Sequence, residues 1–254
     1  MSDILIEHAD RVTTLRFNRP DKKNALTGPM YDTLANAINA ANEDPQVRVL
    51  LLAGQADCFC AGNDMGDFLN NPPTSTDTPV SRFMRALFAF EKPVVAAPCG
   101  IAVGVGVTLL LHCELVYAGD KTKFSMPFAA LGFCPEYGAT YLLPRIMGHQ
   151  RAAELVMLGE PFTAQHAHEV GLVNAVLPNA EVEAHARAKA LQMAALPPNA
   201  MKVTKMLMRK WRHDTVKDAI DVEGSYFMPM LKMPEAREAF TAFAEKRKPD
   251  FSTF

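Results

Sequence analysis

The chain has 254 residues, a formal net charge of −2 and 49% apolar content, enough to bury a full core, most simply one domain with an appendage. Its basic residues are dispersed, so they form no electrostatic footprint for nucleic acid, and no apolar run reaches the roughly 18 residues that span a bilayer. The N-terminus (Met1-Ser2-Asp3-Ile4) has no basic segment leading into an apolar stretch, and Phe251-Ser252-Thr253-Phe254 is not a peroxisomal address. A cytoplasmic protein is therefore expected. Five cysteines, Cys58, Cys60, Cys99, Cys113 and Cys134, sit in apolar contexts and read as reduced core thiols.

Residues 4–7 and 12–17 alternate as two strands turning at Asp10-Arg11, a hairpin. A polar loop over 18–26 leads to Thr27, which can cap a helix carrying Met30, Leu34, Ala37, Ile38 and Ala41 at helical spacing. Residues 47–53 are apolar apart from Arg48 and end in a turn at Gly54, the pattern of a strand buried on both faces. Residues 70–79, rich in Pro, Thr and Asn, read as a surface loop. An amphipathic helix over 80–90 and a buried strand over 93–97 follow, then a glycine turn over 100–106. An apolar helix over 108–112 and strands over 114–118 and 123–125 continue the rhythm. Helices are predicted over 150–158 and 164–170, and a strand over 172–177. From Asn179 onward nothing reads as sheet, and helices are predicted over 184–196, 200–211, 215–228 and 235–246. The break Leu196-Pro197-Pro198-Asn199 divides an α/β core of repeated β-β-α units (1–196) from a helical region (197–254).

Glu136 stands alone among apolar neighbours in Leu131-Gly132-Phe133-Cys134-Pro135-Glu136-Tyr137-Gly138. A poorly solvated acid gains proton affinity, which makes a carboxylate a useful base near neutral pH. An acid following Pro135 would also stabilise the first turn of a helix. Upstream, Phe59-Cys60-Ala61-Gly62-Asn63-Asp64 and Gly100-Ile101-Ala102-Val103-Gly104-Val105-Gly106 are glycine-bearing turns from strand to helix. Their free backbone N–H groups can hold the negative charge that proton removal creates. No metal site is expected: Cys58-Phe59-Cys60 has the wrong spacing for zinc, and His166 and His168 fall on different faces of a helix. Neither a Gly-x-Gly-x-x-Gly nor a P-loop pattern occurs. Cys134 has no evident His partner to make it a nucleophile. Lys202, Lys205, Arg209, Lys210 and Arg212 around Trp211 read as a solvated helix surface.

Four segments in order resemble the crotonase superfamily, also called the enoyl-CoA hydratase/isomerase family. They are Phe17-Asn18-Arg19-Pro20 to Ala25-Leu26, Phe59 to Asp64, Gly100 to Gly106, and Leu131-Gly132 through Pro135-Glu136. The resemblance covers residues 4–250 and implies a crotonase-like spiral of β-β-α units with a C-terminal helical oligomerisation region. It implies an acyl-CoA thioester substrate, no cofactor beyond the coenzyme A of that substrate, and a homotrimer or dimer of trimers. It further implies that the N–H groups of Ala61 and Val105 stabilise a thioester enolate. By the same resemblance Gly62, Asn63, Asp64 and Met65 belong to the segment lining the adenine end of CoA. Lys22, Lys23 and Ala25 belong to the loop closing over the nucleotide, although Pro-Asp-Lys-Lys is equally an ordinary solvated turn.

Departures from the family pattern point to a subgroup. Hydratases in this family use two glutamates, and this chain has Thr108 and Phe128 at the matching positions. Glu136 instead matches the single base of the Δ3,Δ2-enoyl-CoA isomerases, and the local strings are most similar to the peroxisomal-type members. The resemblance thus implies that Glu136 moves a proton from C2 to C4 of a 3-enoyl-CoA. Another crotonase-type reaction, hydration or thioester hydrolysis, and a catalytically silent acyl-CoA-binding scaffold are the alternatives.

Overall fold

The computed structural model describes residues 2–70 and 77–254. β1 (Ile4–Ala9) and β2 (Val12–Phe17) form the expected antiparallel hairpin, turning through Asp10 and Arg11 in the left-handed region. α1 (Gly28–Glu43) follows with Pro29 in its first turn. Thr27 occupies the N-cap, but its side chain makes no capping bond. β3 (Val49–Ala53) is buried along its whole length. Part of the expected 70–79 loop, residues 71–76, lies outside the described residues. Asn70 instead closes a short helix, α2 (Met65–Asn70), and Pro79 opens α3 (Pro79–Ala89) behind a reciprocal cap between Thr78 and Ser81.

β4 (Val94–Ala97) and β5 (Ile101–Val103) lead into α4 (Val105–Thr108), which continues as a tighter turn over Leu109–His112. The helix therefore opens at Val105, earlier than the sequence suggests, with Gly104 as its N-cap. β6 (Leu115–Gly119) and β7 (Lys123–Ser125) precede α5 (Ala139–Met147), which the sequence pattern did not predict, and α6 (His149–Met157). A two-residue strand, β8 (Phe162–Thr163), was also not predicted. α7 (Ala164–Glu169), β9 (Ala175–Leu177) and α8 (Val182–Ala194) complete the sheet-bearing part. α9 (Pro198–Lys210), α10 (His213–Met230) and α11 (Pro234–Ala244) form the helical tail.

The strands make two sheets, ordered β1-β2-β3-β4-β6-β9 and β5-β7-β8. Successive turns of chain lay one strand in each, β4 with β5 and β6 with β7, and the large sheet is parallel from β2 onward. Period-two alternation splits the large sheet's side chains between two cores. Leu50, Leu52, Val94 and Ala96 face the main core with α1 and α3, whereas Val49, Leu51, Val95 and Ala97 pack against Val182, Ala186 and Ala190 of α8. This two-sheet layering is the α/β architecture expected from the sequence. No helix among the described residues is long and apolar enough to cross a membrane.

The basic stripe on α9 is not wholly solvated. Lys205 and Arg209 turn inward onto Glu114, while Lys202 stays exposed with Glu91.

Candidate active site

The turn at 59–64 is held from two sides. The N–H of Leu26 donates to the Gly62 carbonyl (2.8 Å) and that of Asp64 to the Leu26 carbonyl (2.9 Å), a parallel bridge between Leu26 and Asn63. In such a bridge the bracketed residue's own N–H points away from its partner strand, and the Asn63 N–H has no acceptor among the described residues. Ala61 differs: its N–H already donates to the Lys23 carbonyl at 3.0 Å. The expectation that Ala61 supplies a free amide is therefore corrected. The free donor on this turn is two residues further on, at Asn63.

The second turn lies alongside the first. Cys60 pairs with Ala102 in parallel, and the N–H of Val103 donates to the Cys60 carbonyl at 2.9 Å. Beyond that pair Gly62 and Gly104, both at positive φ, end the regular register, but the turns stay in contact: a Cβ on Gly62 would lie 3.1 Å from the Val103 carbonyl oxygen. Val105 is the first residue of α4, where helical geometry leaves N–H groups without partners. Its N–H has no acceptor among the described residues. Gly104 sits at φ 55°, ψ −118°, a conformation closed to side chains, and a Cβ on Gly106 would meet the Cys60 carbonyl oxygen at 2.5 Å. Gly106 lets the two turns approach closely, whereas Gly104 supplies the backbone conformation that opens the helix. The Val105 side chain is buried in the main core, which seats the first turn of α4.

Tyr31 on α1 donates its hydroxyl to Oδ1 of Asn63 at 2.6 Å and fixes that residue. The apolar spacing of α1 marks it as core and does not single out Tyr31. The signal was thin: one polar atom on a fully buried helix face.

Glu136 is 7% exposed, and its Oε1 has no hydrogen-bond partner among the described residues. Burial, with the Glu223 charge as a second cause, raises its carboxyl to about 8. It is not a helix-start acid. α5 begins at Ala139 behind Gly138, and the amides of Gly138 and Thr140 donate to Glu223 of α10 (2.6 and 2.9 Å). Its neighbour Tyr137 is locked in the left-handed region at φ 64°. The Tyr137 hydroxyl donates to the Met84 carbonyl (2.8 Å), and its ring stacks on His112 at 3.8 Å. Burial pushes His112 down to about 3, so the ring is neutral, and its Nε2–H donates to the Tyr137 carbonyl. Backbone strain held this firmly is typical of functional positions.

A cavity of about 920 Å³ brings Glu136 and Asn63 together. Its walls come from α1, α3 and α10, including Tyr31, Met84, Ile220 and Met228. Ala61, Val105, Lys22, Lys23, Ala25, Gly62, Asp64 and Met65 do not line it. Lys22 and Lys23 are exposed beside the 58–61 segment, with Ala25 half-buried behind them. Asp64 is engaged within the fold. Burial alone would raise its carboxyl, but the Asp67 N–H and the Arg19 guanidinium at 2.6 Å hold it below its usual value. At the two positions matching the hydratase acids, Phe128 is buried in the core, and Thr108 Oγ1 is the other buried side-chain atom without a partner among the described residues. No cluster of metal-binding side chains occurs among those residues.

A buried, high-pKa carboxyl sharing a cavity with an outward-facing backbone amide defines a site for proton transfer beside a carbonyl whose charge the backbone can hold. The sequence matches the family described as enoyl-CoA hydratase/isomerase over residues 7–253. It is 34% identical to the 2,3-dehydroadipyl-CoA hydratase of Escherichia coli K12, over 99% of both chains. It is 36% identical to the peroxisomal enoyl-CoA delta isomerase 3 of Mus musculus, over 82% of this chain and 67% of that one. The solved structure of Pseudomonas aeruginosa OdaA superposes with a TM-score of 0.93 at 46% identity, covering 96% of this chain and 99% of the other. The chain belongs to the enoyl-CoA hydratase/isomerase family, the crotonase superfamily.

Proposed function

We propose that the protein is a Δ3,Δ2-enoyl-CoA isomerase in which Glu136 is the only acid–base group. The carboxylate takes a proton from C2 of a 3-enoyl thioester. The electron pair moves into the thioester carbonyl, whose oxygen accepts hydrogen bonds from the N–H groups of Asn63 and Val105. The same carboxylic acid then returns the proton at C4, leaving a conjugated 2-enoyl thioester with no net change in protons or water. Losing one such amide donor typically raises a barrier by about 3 kcal/mol. The CoA moiety would lie toward the 22–25 loop and the 61–65 turn.

The observation that carries this reading is the buried Glu136 carboxyl, whose Oε1 has no partner among the described residues, with Thr108 and Phe128 where a second acid would activate water. The test uses 3-hexenoyl-CoA and crotonyl-CoA with the wild type and Glu136→Gln. The wild type should generate conjugated-enoyl absorbance from the first ester and leave the second unhydrated. The variant should lose isomerisation by two or more orders of magnitude, as expected for a general base, while still binding the ester. Near-normal turnover by the variant, or hydration of crotonyl-CoA by the wild type, would exclude the proposal.

A further inference from the structure

α10 carries a glycine at position 224, in the middle of an 18-residue helix. Glycine is the poorest helix former after proline, so an interior glycine needs a compensating reason. The usual reasons are a left-handed backbone or a close approach by another chain segment. Of the three glycines whose added Cβ would meet nothing within 4 Å, Gly104 (φ 55°) and Gly148 (φ 85°) have positive φ, and Gly224 does not. Gly224 therefore has neither reason, and it lines the same cavity as Glu136.

Its neighbours on that wall explain what the missing side chain leaves open. Ile220 and Met228, four residues to either side, lie on the same stripe of α10 and also line the cavity. The stripe runs about 12 Å along the helix axis. It passes directly beside the loop bearing Glu136, because α10 is tied to both ends of that loop. Glu223 accepts from Gly138 N–H at one end, and the Phe227 ring packs on Phe133, centroids 5.0 Å apart, at the other. A gap between two apolar side chains, on a wall of the cavity that Glu136 also lines, is room for an apolar tail.

We propose that Gly224 sets substrate specificity: its missing side chain lengthens the acyl pocket along α10, so the enzyme favours 3-enoyl thioesters with long acyl chains over short ones. The reaction named here rests on the isomerase assignment, but the pocket does not.

The experiment compares wild type, Gly224→Ala and Gly224→Leu on 3-hexenoyl-CoA and 3-dodecenoyl-CoA. Because the position is helical and open, both variants should unfold no earlier than wild type. Gly224→Leu should lower kcat/KM for the long ester by about ten-fold or more, the equivalent of losing roughly two buried methylenes, mainly through KM. The short ester should be unaffected, and Gly224→Ala should fall between. Equal losses on both esters, or no loss on either, would overturn the proposal. If the wild type isomerises neither ester, the isomerase assignment fails, and calorimetry with saturated hexanoyl-CoA and dodecanoyl-CoA then decides the pocket. The preference of wild type for the longer ester should vanish in Gly224→Leu, and an unchanged preference would overturn the proposal by that route.

Discussion

Glu136 is a carboxyl whose neutral form the fold prefers, and that has two consequences with opposite dependence on pH. As a base it must be ionised, so kcat/KM should rise with pH through about 8, the value to which burial lifts it. Stability moves the other way. Between the ordinary glutamate value of 4.5 and about 8 the unfolded chain releases this proton while the native chain keeps it, so stability falls across that window. Above it both states are ionised and the loss stays constant, with an upper bound of about 5 kcal/mol. Glu136→Gln should therefore be more stable than wild type by a margin that grows from pH 4.5 to 8 and then levels off. Chemical denaturation across that range checks it, and a margin independent of pH would mean the carboxyl is solvated. Glu136 was legible in the sequence because an acid inside an apolar run is a local property. The free amide was not. In a regular extended segment the N–H groups of Ala61 and Asn63, two residues apart, would face the same side; Gly62 between them, at φ 92°, breaks that pattern, and pairing with the distant 23–26 segment leaves Ala61 bonded to the Lys23 carbonyl and Asn63 facing away.

At the next scale the site is a junction between α5 and α10. The Glu223 carboxylate accepts from Gly138 N–H, Thr140 N–H and the Thr140 hydroxyl, satisfying donors at the start of α5 that have no helical partner. It thereby fixes the exit of the Glu136 loop, and its charge contributes to raising the Glu136 carboxyl. Glu223→Gln presents an amide N–H₂ to a cluster of donors and removes that charge. It should destabilise the fold by about 1–3 kcal/mol and move the rise of kcat/KM to lower pH, with kcat more affected than KM. A stability loss with an unmoved pH profile would make Glu223 a helix cap and nothing more. This junction could not be read from the sequence. Pro144 lies inside α5, and Gly138 and Gly148 bracket it, so the stretch reads as turn. The predicted helices with uninterrupted apolar spacing, from α1 to α11, appear within a few residues of their expected ends, because periodicity is local and pairing across the chain is not.

Across the whole molecule, the helical tail that supplies α10 to the cavity is pinned to the sheet by buried charge. Lys205 Nζ lies 3.0 Å from Glu114 and donates to the Lys92 carbonyl at 2.6 Å. Arg209 donates to Glu114 at 2.7 Å and to the His112 carbonyl at 2.6 Å. Burial lowers Lys205 to about 8, so its ammonium depends on Glu114 to remain charged at neutral pH. Removing the carboxylate leaves two largely buried cations with neutral carbonyl acceptors and no counter-charge, and one-sided loss of a buried pair costs about 3–5 kcal/mol. Lys202, on the same helix but paired with Glu91 at the surface, is worth at most about 1 kcal/mol. Urea denaturation of Glu114→Ala and Lys202→Ala should therefore separate sharply. Because α9 leads directly into α10, Glu114→Ala should also weaken binding of long acyl-CoA esters, while Lys202→Ala should leave it intact. Equal and small effects of the two substitutions would mean that apolar contacts alone seat the tail, and that the Glu114 cluster is incidental to the shape of the cavity.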